Sequence, residues 1–355
     1  QEVAWTVDTT MAEICGNIIT QETTKKLAGV LSLSGGEKVC IVQAEKKGAT
    51  CPVNADNIRE WRRELDQAEA LSKDPDAEGI FYHVWHFDSR GRMYTASLRL
   101  SPVGDDISRG LLRFACKHRE LDENGWHWLQ IYTAGLWQGR ENGPKGKTFE
   151  DFKQVVQDPK FIKMLEEVVE DPIGTFDRWG DGDVLRSKAE GFLRLNATRA
   201  FIDARNNGTN PGSGVGAPCN LPIVQDASSN VYQHMSAIIR DEAMARCVNV
   251  LPFDENNTNQ RADVYDQLAN AAMKLIEGGE TRHLPKTLKL QDRNMCTEII
   301  NRYIATEGRG GAKYPVMTFG YGAGVASMAE GVMSHSGKSC KNGGLLGEYE
   351  YDGDV

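Results

Sequence analysis

No uninterrupted apolar run in the sequence approaches the roughly 20 residues that a bilayer-crossing helix needs, which argues against a membrane span. There is no C-x-x-C pair. The eight cysteines, at 15, 40, 51, 116, 219, 247, 296 and 340, are scattered, and the seven histidines add no zinc spacing. Reduced, mostly buried thiols in a cytosolic-type compartment are therefore expected. Positive charge is not in excess: 41 Lys and Arg stand against 50 Asp and Glu, a net charge of −9. That argues against a chain that coats nucleic acid indiscriminately, but not against an enzyme with a local basic channel. No internal repeat is present. The glycines at 212–216 lack the Gly-Lys-Ser/Thr ending of a phosphate loop, so this stretch reads as plain loop. The opening Gln-Glu-Val-Ala has no initiator Met, basic stretch or apolar signal core, and an internal fragment or processed chain is expected.

What is present is ordinary globular material, 355 residues with 40% apolar and 26% charged side chains, long enough for two or three domains. Between Ser89 and Arg119 lie seven Lys or Arg and only two acids, whereas 150–183 is acidic. Residues 1–50 are weakly patterned, with a strand expected at Lys38–Ala44. Asn57 and Glu60 suggest a capping box, and Ile58, Trp61, Leu65 and Ala68 form the apolar stripe of a helix that Lys73-Asp74-Pro75 ends. Strands are expected at Phe81–Phe87, Met93–Leu100 and Leu221–Val224. The pattern predicts helices over 106–116, 122–137, 149–157, 160–170, 228–247, 261–277 and 289–306, and a loop over 206–218.

Three segments could carry chemistry, and each has a plain alternative. Asp88-Ser89-Arg90-Gly91-Arg92 lies between two expected strands. It is either a solvated hairpin or a rigid turn whose two guanidiniums grip phosphates. Asp226, where a short apolar run meets a helix, is either a helix cap or a hard oxygen ligand for Mg²⁺. Arg309, Lys313, Met317 and Tyr321 recur every four residues, so on a helix two cations and a phenol would share one face. Gly310, Gly311 and Pro315 are poor helix interiors, so a kink or loop is expected over Arg309–Lys313.

Taken in order, these segments resemble the single-subunit DNA-dependent RNA polymerases of phages and mitochondria. Asp88, Gly91 and Arg92 are in register with that family's D-x-x-G-R turn. Asp226, Ala227, Ser228 and the downstream Gln233-His234 are similar to polymerase motif A. Arg309 to Gly322 is similar to motif B, R-x-x-x-K-x-x-x-M-T-x-x-Y-G. Intervening stretches also match, among them Arg109-Gly110-Leu111-Leu112, Trp128-Leu129-Gln130-Ile131, Arg240-Asp241-Glu242 and Asp263-Val264-Tyr265, so the resemblance covers about 57–335. Met317-Thr318 after the Lys, and Asp-Ala-Ser where family A DNA polymerases typically run Asp-Tyr-Ser, are the RNA-polymerase form. A DNA polymerase fragment is the weaker fit. Ala227 and Val231 depart from the family's usual glycines. Motif C, a His-Asp-Ser hairpin, is not found, for no His in the chain is followed by Asp, and a chain without the large promoter-contacting N-terminal domain is expected.

The resemblance implies a helix-rich mixed α/β fold that is part of a right-hand polymerase. Residues 1–79 would be an N-terminal helical or connecting segment, and 80–255 part of a palm with an antiparallel sheet. The start of the fingers would occupy 256–336, and a mobile Gly-rich acidic tail 337–355. It also implies two Mg²⁺ ions on Asp226 and the Ala227 carbonyl, with the second carboxylate outside this chain. The triphosphate would be held by Arg309 and Lys313, with Lys313 also protonating pyrophosphate. Tyr321 would lie at the sugar, with Tyr265 in a supporting position. Arg90, Gly91, Arg92 and Gly322 would meet template or hybrid. Implied partners are DNA template, nascent RNA and ribonucleoside triphosphates, and a second polymerase subunit or a missing C-terminal part carrying motif C. A truncated relative that only binds nucleic acid is the rival reading. The implied location is the cytoplasm of an infected host cell, with mitochondria as the second choice.

Overall fold

A computed structural model describes residues 3–33, 55–89, 92–116, 119–140, 142–146, 148–175, 190–225, 227–256, 261–277, 308–324 and 328. The chain divides into two units, Gln1–Val224 and Gln225–Val355. Together they make a helix-rich α/β fold with small antiparallel sheets. Among the described residues no helix is long and apolar enough to cross a membrane.

In the first unit the Trp5–Val7 strand (β1) is the middle of three. It pairs antiparallel with Ile80–Phe81 (β2) and with Leu112–Phe114 (β5), placing Trp5 opposite both Phe81 and Phe114. Alternation along β1 buries Trp5 and Val7 in the core. The helices are Thr9–Leu33 (α1), Ala55–Ser72 (α2), Asp106–Leu111 (α3), Glu123–Leu136 (α4), Phe149–Val155 (α5), Pro159–Glu170 (α6) and Gly191–Asn207 (α7), and α3, α4 and α6 pack directly on α7. Helix α7 is buried over most of its surface, from Phe192 and Leu195 to Phe201 and Ala204, with Asp203 and its C-terminal end exposed. Its own N-cap residue, Glu190, makes no side-chain cap bond. The Asp106 carboxylate of α3 takes that place, accepting from the Phe192 and Leu193 amides at 2.9 Å each. Close approach of the two helices requires Gly110, where a Cβ would stand 3.0 Å from the Phe192 backbone. On other faces Trp126 stacks on Phe201, and the Trp137 indole donates to Thr198 Oγ1 at 2.9 Å. Asp8 receives both Arg113 (3.0 Å) and Arg199 (3.2 Å). Burial works to raise its carboxyl, and the two guanidiniums override this and hold it below the usual range.

Several sequence expectations are corrected. The helix expected over 106–116 stops at Leu111, because Leu112–Phe114 leaves it to pair with β1. The single strand Phe81–Phe87 is two pieces in different sheets, and its second part, Trp85–Phe87 (β3), pairs with Met93–Thr95 (β4). The strand expected to reach Leu100 ends at Thr95, whose hydroxyl bonds Ser97 and Ser101 as the chain turns. Leu221–Val224 forms no strand. Pro222 offers no ladder donor, and Leu221 packs into the core of the first unit. Helix α1 arises where little pattern was visible. Helix α2 begins two residues before Asn57, and it buries Trp61 and Ala68 as expected. All four described cysteines are free thiols, but only Cys15 is buried. The strand at Lys38–Ala44, the helix over 289–306 and the tail from 337 lie outside the described residues.

The second unit contains Asn230–Ile239 (α8), Glu242–Cys247 (α9), Val264–Glu277 (α10) and Arg309–Gly320 (α11). The helix expected over 228–247 is broken at Arg240, which turns left-handed (φ 55°), after which Asp241 caps α9 through the Met244 amide. Met235, Ile238 and Ile239 of α8 are exposed to solvent. The segment expected to kink or loop is helical from Arg309 through Pro315 to Gly320.

Candidate functional site

The second unit gathers side chains from three sequence regions around helix α11. At its start, Arg309 Nε donates to Asp263 Oδ2 at 2.5 Å, and the guanidinium lies 5.3 Å from the Tyr265 ring centroid. Asp263 is there for a local reason as well. Its other oxygen accepts from the Tyr265 and Asp266 amides at 3.0 and 3.3 Å, capping α10. Burial acts to raise the Asp263 carboxyl, but the Arg309 bond and the two amides hold it below the ordinary range. The same bond keeps Arg309 above its own.

Three phenols tie this helix and α10 to the segment that follows Asp226. The Tyr232 hydroxyl donates to the Val316 carbonyl at 2.6 Å, Tyr321 Oη stands 3.4 Å from Asn230 Oδ1, and Tyr265 Oη stands 3.4 Å from Ser229 Oγ. Contact between the two helices is tight at Gly320, where a Cβ would meet Val231 and Tyr232 at 3.0–3.1 Å. Ser229 itself holds φ 117°, a region that non-glycine residues rarely enter, and such strain concentrates at functional sites. Gly322, just past the helix, sits at φ 82° with open space around it, so there the backbone angle is what asks for glycine.

A family model described as DNA-dependent RNA polymerase matches residues 119–342, well over half of the chain and all of this second-unit cluster. The chain belongs to that family. Over 209 residues this polymerase chain is 30% identical to DNA-directed RNA polymerase 1, mitochondrial, of Arabidopsis thaliana, covering 59% of the chain and 19% of that protein. It is 28% identical over 203 residues to DNA-directed RNA polymerase 3, chloroplastic, of Nicotiana sylvestris (57% and 18%). Similarity to T7 RNA polymerase of Escherichia phage T7 is 27% over 236 residues (66% and 24%). The chain thus spans only about a fifth of the length of the first of these relatives.

Within the polymerase chain, the structure brings Arg309 to Tyr265, puts Lys313 one turn along the same helix, exposed to solvent, and puts Tyr321 at that helix's far end. Ala227 is exposed, while Asp226 lies outside the described residues. Among the described residues no group of three His, Cys, Asp or Glu could hold a metal ion. Arg90 and Gly91 also fall outside them. Arg92 is exposed, in the first unit, and Asp88 holds that turn closed: its carboxylate accepts from the Arg92 amide at 2.9 Å, and its amide donates to the Arg92 carbonyl at 2.8 Å. Sequence reasoning had Asp263 only within a matching stretch, without a partner, and it did not single out Ser229, Asn230 or Tyr232. The capping pattern Asp263-Val-Tyr-Asp266 was the available signal for Asp263. Nothing along the chain links it to Arg309, 46 residues away.

Proposed function

We propose that this chain is the motif A and motif B part of a single-subunit-type RNA polymerase and acts in DNA-templated RNA synthesis. The 3′-hydroxyl of the nascent RNA attacks the α-phosphate of a template-paired ribonucleoside triphosphate; the new O–P bond forms as the bond to pyrophosphate breaks. The observation that carries this reading is Arg309, held by Asp263 over Tyr265 on the same helix as the exposed Lys313 and Tyr321. Two cations one turn apart suit a triphosphate, with Lys313 placed to give a proton to the leaving pyrophosphate. Tyr321, beside Asn230, is the sugar reader, and Tyr265 backs the nucleotide site. Arg90, Gly91 and Arg92 are assigned to template or hybrid, as is Gly322. In this reading 80–255 belongs to a palm and 256–336 to the start of the fingers.

The donors that this chain offers to Mg²⁺, the Asp226 carboxylate and the Ala227 carbonyl, are hard oxygens of the right kind but too few for two ions. A second carboxylate is assigned to polypeptide outside these 355 residues, since no His here is followed by Asp. Two bound Mg²⁺ ions supply charge neutralisation and an acidified hydroxyl. With one carboxylate missing, the pure 355-residue chain should not extend a primed RNA–DNA hybrid. Templated extension by that chain alone would overturn the assignment.

The test of the whole reading is sugar choice in an assembled enzyme. A site that hydrogen-bonds a ribose 2′-OH is left with unpaired polar groups when a deoxynucleotide binds, which gives large discrimination. Tyr321→Phe removes one oxygen and keeps the ring, so the ratio of kcat/KM for ribonucleotide over deoxynucleotide should fall by about tenfold or more. An unchanged ratio would reduce Tyr321 to a packing residue.

A further inference from the structure

We propose that Asp263 is a positioning residue that presents Arg309 to the nucleotide's triphosphate, an inference that rests on the reading of Arg309 as a triphosphate ligand. An arginine side chain is long, and an exposed one samples many rotamers. Here two constraints remove most of that freedom. Asp263 Oδ2 takes the Nε–H edge, and Tyr265, itself buried, lies beneath the guanidinium face. Among the described residues no group accepts from the two terminal nitrogens of Arg309, and its side chain is 46% exposed. The edge left over is the forked pair of NH₂ groups, the part of a guanidinium that matches two phosphate oxygens. Tyr265 in turn reaches Ser229, so the presented edge is referenced to the segment that carries Asp226.

Simple electrostatics predicts the opposite sign. A carboxylate next to an anion site repels the anion, so removing Asp263 should tighten triphosphate binding if charge alone mattered. Positioning predicts that it weakens. A further structural role can be separated, because the same carboxylate caps α10. Ser is a favoured cap with too short a side chain to bridge to Arg309, so Asp263→Ser keeps the cap and loses the arginine contact. Asp263→Ala loses both, whereas Asp263→Asn has one acceptor oxygen, so with that oxygen on the cap its NH₂ faces the Arg309 Nε–H donor and that contact is lost.

The experiment titrates the full 355-residue chain with GTP in magnesium buffer by calorimetry. Asp263→Ser, Asp263→Asn and Asp263→Ala should each weaken GTP binding about 5–10-fold, with unchanged circular dichroism for the Ser and Asn variants. In an Arg309→Ala background, Asp263→Ser should add nothing. Wild-type or tighter affinity in Asp263→Ser, or an equal loss in the Arg309→Ala background, overturns the positioning role while leaving Arg309 as a ligand. If Arg309→Ala itself does not weaken GTP binding, the underlying reading fails and the inference falls with it. A ligand-free readout stands beside these: the Arg309 Nε–H resonance of ¹⁵N-labelled chain should exchange slowly in wild type and be lost in Asp263→Ser and Asp263→Asn. A fast-exchanging Nε–H in the wild type would count against the proposal.

Discussion

RNA synthesis by an assembled polymerase should fall about a thousandfold or more when Asp226 is replaced by Asn. Asn keeps the size and shape of the side chain and removes the charge. No other acid lies between Asp203 and Asp241, so no neighbouring carboxylate along the chain can stand in for it. The local backbone is also committed, with Ser229 held at φ 117° three residues on. Arg309, Lys313 and Tyr321 belong to another helix and are untouched, so GTP affinity should change far less than the chemical rate. Single-turnover incorporation on a primed template measures the rate, and equilibrium binding measures the affinity. A rate within tenfold of wild type would remove Asp226 from the metal site.

The second large effect is on stability. Asp106→Ala should cost about 3 kcal/mol, because it strips the partner from two amides, those of Phe192 and Leu193, at the start of the most buried helix. Urea unfolding reads this directly, and a loss under about 1 kcal/mol would mean that water takes over both amides. The sign of the pH dependence is fixed as well. Burial pushes the Asp106 carboxyl up to about 6, with the Leu193 and Phe192 amides and then Arg109 and Arg194 only partly opposing it. A carboxyl whose folded pKa is raised contributes stability below its unfolded value, near 3.8, and that contribution is lost as pH rises through about 6. Asp106→Asn titrates nothing at this position. The stability of the wild type relative to Asp106→Asn should therefore be greatest near pH 4 and decline by about 3 kcal/mol toward neutrality. A difference that is flat or rising with pH would contradict the burial of this carboxyl.

How much of this was legible in the sequence follows from what each element depends on. Helices with local signals were readable. Thr148 and Asp151 form a capping box at α5, and Asp158 with Pro159 opens α6. Helix α7 was not, although it is the centre of the first unit. An element buried over most of its surface has little polar face, so no period of 3.6 stands out, and its buried Arg194, Asn196 and Thr198 further blur the pattern. The β5 strand was hidden because its partner, Trp5–Val7, is more than a hundred residues away, and the pairing overrides a local helical preference. At the candidate site, Arg309, Lys313, Tyr265 and Tyr321 were visible as motif residues. Their mutual arrangement through Asp263, Asn230 and Tyr232 was not, because each of those bonds joins regions 46 to 91 residues apart.

Helix α11 has one more consequence. Pro315 supplies no amide to the Gly311 carbonyl, and Gly310 and Gly311 add their own cost. Relative to alanine these three residues disfavour the helix by about 5 kcal/mol. Its order is set from outside, by Tyr232 on the Val316 carbonyl, Asp263 on Arg309 and Asn230 near Tyr321. The free energy of opening this helix is therefore tunable at positions outside it. Substitutions at Tyr232, Asp263 or Asn230 can make the helix stiffer or looser while its own sequence stays fixed.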